Sequence, residues 1–180
     1  MAWTTPATAV ANATLPAATW NATVRDNLNA TAVALASSAS QYFVATGVNA
    51  LAARTMQTAT VATSQSSAVT TYGNNLATTG PQVTVTTGTI AVVLFTAAVS
   101  NTVANSATDT SVAVSGSSSV AASDAWRTVL DGVTANQINR VTGFHVFTGL
   151  NAGSNTFTVQ YKVGSNTGTW ADRELLVMPF

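Results

Sequence analysis

The residues able to do acid–base, nucleophilic or metal chemistry are few, and their spacing gathers none of them into a working group. The one histidine, His145, sits in Phe144-His145-Val146-Phe147. On a strand its neighbours Phe144 and Val146 face the opposite way. A lone histidine among aromatics reads as a core-edge or interface residue, and serines are so common here that a Ser-His-Asp set has no support beyond chance. The six acids are Asp26, Asp109, Asp124, Asp131, Asp172 and Glu174. Asp172 and Glu174 flank Arg173 and would share a strand face about 7 Å apart, which invites comparison with paired glycosidase carboxylates. Their alternation with Arg173 favours a solvated strand or a salt bridge between subunits. Asp124 and Asp131 bracket Trp126-Arg127, a loop too sparse in acids for calcium. There is no cysteine, which removes disulfides, thiolate zinc ligands and thiol catalysis together. Gly116-Ser117-Ser118-Ser119 and Gly149-Leu150-Asn151-Ala152-Gly153 lack the lysine and helix of a phosphate loop. The Asn-Ala-Thr triplets at Asn12, Asn21 and Asn29 follow from composition. The chain is read as a non-enzymatic protein with no metal and no cofactor.

Composition narrows the partners. Of 180 residues, 47% are hydrophobic, enough for a core, and only 7% are charged, against roughly 25% in an average soluble protein. The net charge is zero, so disorder by self-repulsion is not expected. Arg25, Arg54, Arg127, Arg140, Lys162 and Arg173 are scattered, not clustered as a phosphate-binding surface requires. Nucleic acid is therefore not an expected partner. The longest apolar run, Ile90 to Val99, is interrupted by Thr96 and is far shorter than the ~20 residues of a membrane helix. No basic segment precedes an apolar run as in a secretory signal, so an extracellular location is expected only inside a particle released by lysis.

The elements that would position these residues fall into two parts. Residues 1–58 open with an extended Met1-Ala2-Trp3-Thr4-Thr5-Pro6. A helix follows, with Thr14 as cap and Pro16 in the first turn. Trp20, Val24, Leu28 and Leu35 form one apolar stripe, and Arg25, Asp26, Asn27 and Asn29 lie off it. A one-stripe helix must pack on something: its own domain, or a larger structure that it anchors. Residues 36–58 read as a connector. Residues 59–180 are punctuated like an all-β domain. Strands are expected over 59–63, 68–72, 82–86, 89–100, 111–115, 127–130, 138–148, 156–163 and 169–178, the spacing of a sandwich or jelly roll. Ile90-Ala91-Val92-Val93-Leu94-Phe95 does not alternate, so both faces of this strand are expected to be buried. A sandwich covers only the inner one. A subunit interface or the N-terminal helix must cover the other.

Met1-Ala2-Trp3-Thr4-Thr5-Pro6, Thr19-Trp20-Asn21 and Val24-Arg25-Asp26-Asn27-Leu28-Asn29 resemble the opening of small virion proteins from phages of actinobacteria and related hosts. The segments 72–85, 114–116 and 149–158 and the close, Arg173-Glu174-Leu175-Leu176-Val177-Met178-Pro179-Phe180, are similar to the body of the same family. The order of these short motifs is the specific part of the resemblance. It implies a mainly β, jelly-roll β-sandwich like that of tumour necrosis factor, with an N-terminal extended arm and α-helix, assembled as a homotrimer on the virion surface. The arm (Trp3, Pro6, Trp20, Val24, Leu28) would engage the major capsid protein or another virion protein. Val93, Phe95, His145, Phe147 and Phe180 would lie at the trimer interface. Two roles follow: capsid decoration or head fibre, which the short chain favours, and tail-tip receptor binding, with a host cell-surface glycan stacked on Trp126 or Trp170.

Overall fold

The computed structural model describes residues 4–5, 7–8, 10–29, 31 and 35–180. The chain divides into two compact units, Met1–Thr55 and Met56–Phe180.

The first unit carries helix α1 (Ala17–Trp20), a π turn (Asn21–Arg25), helix α2 (Asp26–Asn29) and a hairpin of β1 (Tyr42–Gly47) and β2 (Ala50–Arg54). Pro16, not Thr14, takes the N-cap position, with no side-chain cap. The hairpin lies where the sequence reads as a connector. Tyr42 pairs with Arg54 and Val44 with Ala52, and Asn49 takes the positive φ of 55° that the turn requires.

The second unit is a β-sandwich. Its strands are β3 (Gln57–Val61), β4 (Gln65–Ser67), β5 (Gln82–Thr87), β6 (Ile90–Asn101), β7 (Ala107–Gly116), β8 (Thr128–Asp131), β9 (Asn139–Thr148), β10 (Gly153–Val163) and β11 (Gly168–Pro179). One sheet has the order β5-β10-β7-β8; the other has β3-β11-β6-β9, with β4 beside the start of β11. Every pairing is antiparallel. From β5 onward the chain crosses between sheets at each step except β7 to β8, which is the winding of a jelly roll. The strand expected over 68–72 does not form. Residues 69–81 instead run beside β10, where Val69, Gly73 and Pro81 carbonyls accept from Val163, Tyr161 and Val159 at 3.0, 3.2 and 3.1 Å.

The core lies between the sheets. On β6, Ala91, Val93, Phe95, Ala97 and Val99 point inward, against Val112, Val114, Phe157, Val159 and Tyr161 of the facing sheet. Strand β6 therefore does alternate. Its inner set is fully buried, whereas Ile90 and Leu94 are 40% and 39% exposed. Val93, Phe95 and Phe147, expected at a trimer interface, are core side chains. Both parities of this run are apolar, so the pattern alone could not say which one faces out. Gly143 shows how tight the inner side is. A Cβ there would run into the Phe95 ring, so only glycine fits opposite that ring.

A bulge changes the last strand. Pairing of β11 with β6 shifts between Ala171 and Glu174, and Asp172 sits at φ 46°. Arg173 is thereby turned inward and fully buried. Its Nη1 donates to the Thr78 and Gly80 carbonyls at 3.3 and 3.2 Å, and its Nη2 to the Thr63 carbonyl and Gln65 Oε1 at 3.3 and 2.8 Å. The guanidinium lies 5.5 Å from the centroid of the Tyr161 ring. Buried charge is tolerated only with such dense hydrogen bonding, and here it ties the 63–80 connection to β11. Glu174 bridges to Arg140 of the same chain at 3.1 Å.

Candidate interaction surfaces

The outer face of the β3-β11-β6-β9 sheet is graded from apolar to polar. The register aligns its outward side chains in ranks across the strands. Ile90 and Thr148 form the first, with Phe180 beside them through its backbone N–H, which donates to the Ile90 carbonyl at 2.9 Å. Met178, Val92 and Val146 form the second. Thr58, Leu176, Leu94 and Phe144 form the third. The next rank turns polar, with Thr60, Glu174, Thr96 and Thr142. A groove of about 460 Å³ crosses this boundary between the third and fourth ranks. Phe144 is 61% exposed, and Val146 and Phe180 are more than a third exposed. No element of the sandwich covers this face, and contiguous apolar surface of this kind marks an interface. Cross-strand register was the missing information: the sequence sets Phe144 and Val146 opposite His145 and leaves Leu94 in a run apolar on both faces, but only the pairing aligns them with Leu176 and Met178 on the outer side.

The outer side of the other sheet is finished by the chain itself. Residues 118–127 follow the edge of β7. Val120 bridges to Val114, Ser123 accepts from and donates to Ser111, and Trp126 Nε1 donates to the Val112 carbonyl at 3.0 Å. Asp124 then gathers a charged cluster. Its carboxylate meets Lys162 Nζ at 2.8 Å and Arg127 Nη1 at 3.1 Å, and accepts from the Tyr72 hydroxyl at 2.8 Å. Those hydrogen bonds from Lys162 and Tyr72 hold the Asp124 carboxyl down to about 2. Burial pushes the Tyr72 hydroxyl far up, and the Asp124 bond adds to it. Buried Asp109 also faces Arg127 and Lys162; desolvation raises its pKa against their pull. Each acid is held by two cations, Asp109 through its Oδ2 alone. The cluster acts as a clamp between residue 72, the 124–127 turn and β10. Among the described residues, no group of His, Cys, Asp or Glu could hold a metal ion.

His145 points inward and is half-buried. Its ring stacks on Trp126, with centroids 4.7 Å apart, and meets Phe147 edge-on at 4.6 Å. Burial lowers its pKa. The two tryptophans proposed for glycan stacking are both engaged. Trp170 is fully buried, donating to Thr110 Oγ1 at 3.1 Å. Trp126 gives one ring face to His145.

In the first unit, Trp3 and Pro6 lie outside the described residues. Trp20 and Leu28 are 52% and 61% exposed, and Val24 is half-buried. Asn27, placed off the stripe by its spacing, is instead the buried residue of the helix. Its carboxamide reads the backbone of Thr4: Oδ1 accepts from the Thr4 N–H and Nδ2 donates to the Thr4 carbonyl, both at 2.9 Å. The second Nδ2 hydrogen goes to the Thr23 carbonyl, also at 2.9 Å. The π turn just before α2 rotates Asn27 away from the regular helical position. Thr4 is thus held against the helix by an amide whose oxygen and both N–H groups are engaged with two backbone segments.

No protein family matches the sequence, and no curated protein matches it. Among solved structures, the chain is similar in part to VP2 of infectious bursal disease virus in its subviral particle, with a TM-score of 0.49 and 12% identity over 76% of this chain and 36% of that one. The structure of the Gx strain of the same virus gives 0.46 and 11%, over 76% and 37%. A family two carbohydrate esterase from Cellvibrio japonicus gives 0.28 and 15%, over 69% and 34%. The chain spans about a third of the length of these structures. Likenesses at these scores bear on neither activity nor partners.

Proposed function

We propose that this chain is a structural subunit of a phage particle. It assembles as a homotrimer through the apolar ranks of the β3-β11-β6-β9 sheet, and residues 1–35 attach it to the capsid surface as a decoration or head-fibre protein. The observation that carries this reading is the uncovered apolar half of that sheet. Its ranks from Ile90 to Phe144 hold no formally charged side chain, so copies can meet there without like-charge repulsion. A membrane surface would call for lysines and arginines around such a patch, and Arg140, on the same sheet, is engaged with Glu174. Virion membership is supported by the resemblance of the opening and closing motifs to small virion proteins. Attachment by the arm is supported by exposed Trp20 and Leu28 beside the Asn27 clamp. The engagement of Trp126 and Trp170 favours this role over glycan binding at a tail tip.

The test images gold-labelled protein on particles. Label over the head is the expected result, and a chain lacking residues 1–35 should leave the head bare. Label at the tail tip would replace this reading with receptor binding.

A further inference from the structure

We propose that Phe144 of one copy seats in the groove on the outer sheet face of the next copy, entering from its β3 side. The contact rests on the self-association reading above and names the two surfaces that meet.

The face carries a knob and a socket at different places. The knob is Phe144, 61% exposed and the most exposed Phe or Trp side chain among the described residues. It stands on β9, at one edge of the sheet. The socket is the groove of about 460 Å³, roomy enough for a benzyl group. Its origin is a step in side-chain height. Leu176 and Leu94 of the third rank stand above the short Thr60 and Thr96 of the fourth. Strand β9 gives the groove only Thr142; β3, β11 and β6 supply the rest of its lining. The socket is therefore displaced from the knob toward the opposite edge, where β3 walls it with nothing taller than threonine.

Register decides how copies can use these features. Phe144 belongs to the third rank, and the groove lies between the third and the fourth. Knob and socket thus stand at nearly one height along the strands. Rotation about an axis parallel to the strands brings the knob of one copy to the socket of the next with little rise. A head-to-tail contact without rise closes a ring instead of winding a filament. The charges agree with this pairing. The edge that bears the knob also bears Arg140, and the socket holds Glu174. In their bridge within one chain these side chains remain 44% and 53% exposed, so each can also face the opposite charge on a neighbour. The rest of the socket is uncharged, as an aromatic occupant requires.

The chain has no cysteine, so introduced thiols report the contact cleanly. Thr60→Cys marks the socket on β3, and Thr142→Cys marks β9 beside the knob; both lie in the fourth rank. Three strand spacings, about 14 Å, separate them within one chain, too far for a short bismaleimide. Co-expressed single variants should link into a covalent dimer on a denaturing gel, and the double variant should give a covalent trimer. Thr60→Trp, which fills the socket from its own chain, should raise the concentration for half-assembly in sedimentation velocity by about tenfold or more. Linking of Thr142→Cys to itself in place of Thr60→Cys would mean a two-fold contact and overturn the proposal. So would an absence of mixed links, or wild-type assembly of Thr60→Trp, in a chain that still self-associates. A monomeric wild type overturns the self-association reading as well and leaves the groove to a partner of another sequence.

Discussion

The two sheets of the sandwich are alike inside and unlike outside. Both bury their inward side chains in one core. On the outer side of the β5-β10-β7-β8 sheet, polar groups satisfy one another. Thr84 and Thr156 share a hydrogen bond of 2.8 Å, Gln82 donates to Thr158 at 2.9 Å, and the Asp124 clamp closes the β7 side. On the outer side of the β3-β11-β6-β9 sheet, Ile90, Leu94, Phe144 and Val146 stand exposed in register. One sheet has its outer polar groups satisfied within the sandwich, and the other leaves an apolar outer face that no strand of the sandwich covers. In a chain with 7% charged residues, solubility rests on hydroxyls and amides, so an unfinished apolar face is conspicuous.

The sharpest way to break this comparison is to cut neighbouring residues of β6. Phe95→Ala should cost about 3–5 kcal/mol of unfolding free energy, measured by denaturant titration, because it empties the inner core. Leu94→Asp, one residue away, should leave monomer stability within about 0.5 kcal/mol and act on association instead. Equal destabilisation by both would mean that Leu94 is also core. Phe144→Asp comes next. A charge at this most exposed side chain of the apolar ranks should weaken self-association by about tenfold or more in sedimentation, and an unchanged distribution would place the contact elsewhere. Asn27→Ala should cost about 0.5–1.5 kcal/mol locally by removing its hydrogen bonds to exposed Thr4 and half-buried Thr23. The readout is faster amide exchange at Thr4 with the sandwich unaffected.

The smallest effect is in pH. His145 has a folded-state pKa below its ordinary 6.5, so the unfolded chain binds that proton more tightly. Stability from this residue is complete above 6.5 and declines as pH falls through the lower folded value. Asp124, held at about 2 against an ordinary 3.8, adds a second decline as pH drops from 3.8 through about 2. His145→Gln should flatten the upper decline and leave the lower one, as read by melting temperature against pH.

The sequence made the sandwich legible because most of its strands are long and bounded by turn residues. Alternation in 82–86 and 157–163 puts Val83, Val85, Phe157, Val159, Tyr161 and Val163 inside, as the structure does. What escaped depends on partners far along the chain. Ile90 to Phe95 is apolar on both faces, so only pairing with β9 and β11 reveals which side is free. Arg173 breaks the parity of β11 because the bulge inserts residues that alternation does not anticipate. Asn27 looks solvent-facing by helical spacing, yet its amide meets a backbone 23 residues earlier. The hairpin over 42–54 was hidden by Ala- and Ser-rich composition, since its pairing relies on backbone bonds more than on side-chain pattern.

The most direct test of the account is the mass of the wild-type chain by sedimentation equilibrium at micromolar concentration, alongside Phe144→Asp. The account predicts a trimer for the wild type and a shift toward monomer for the variant, with both folded by circular dichroism. A folded wild-type monomer at that concentration would contradict it.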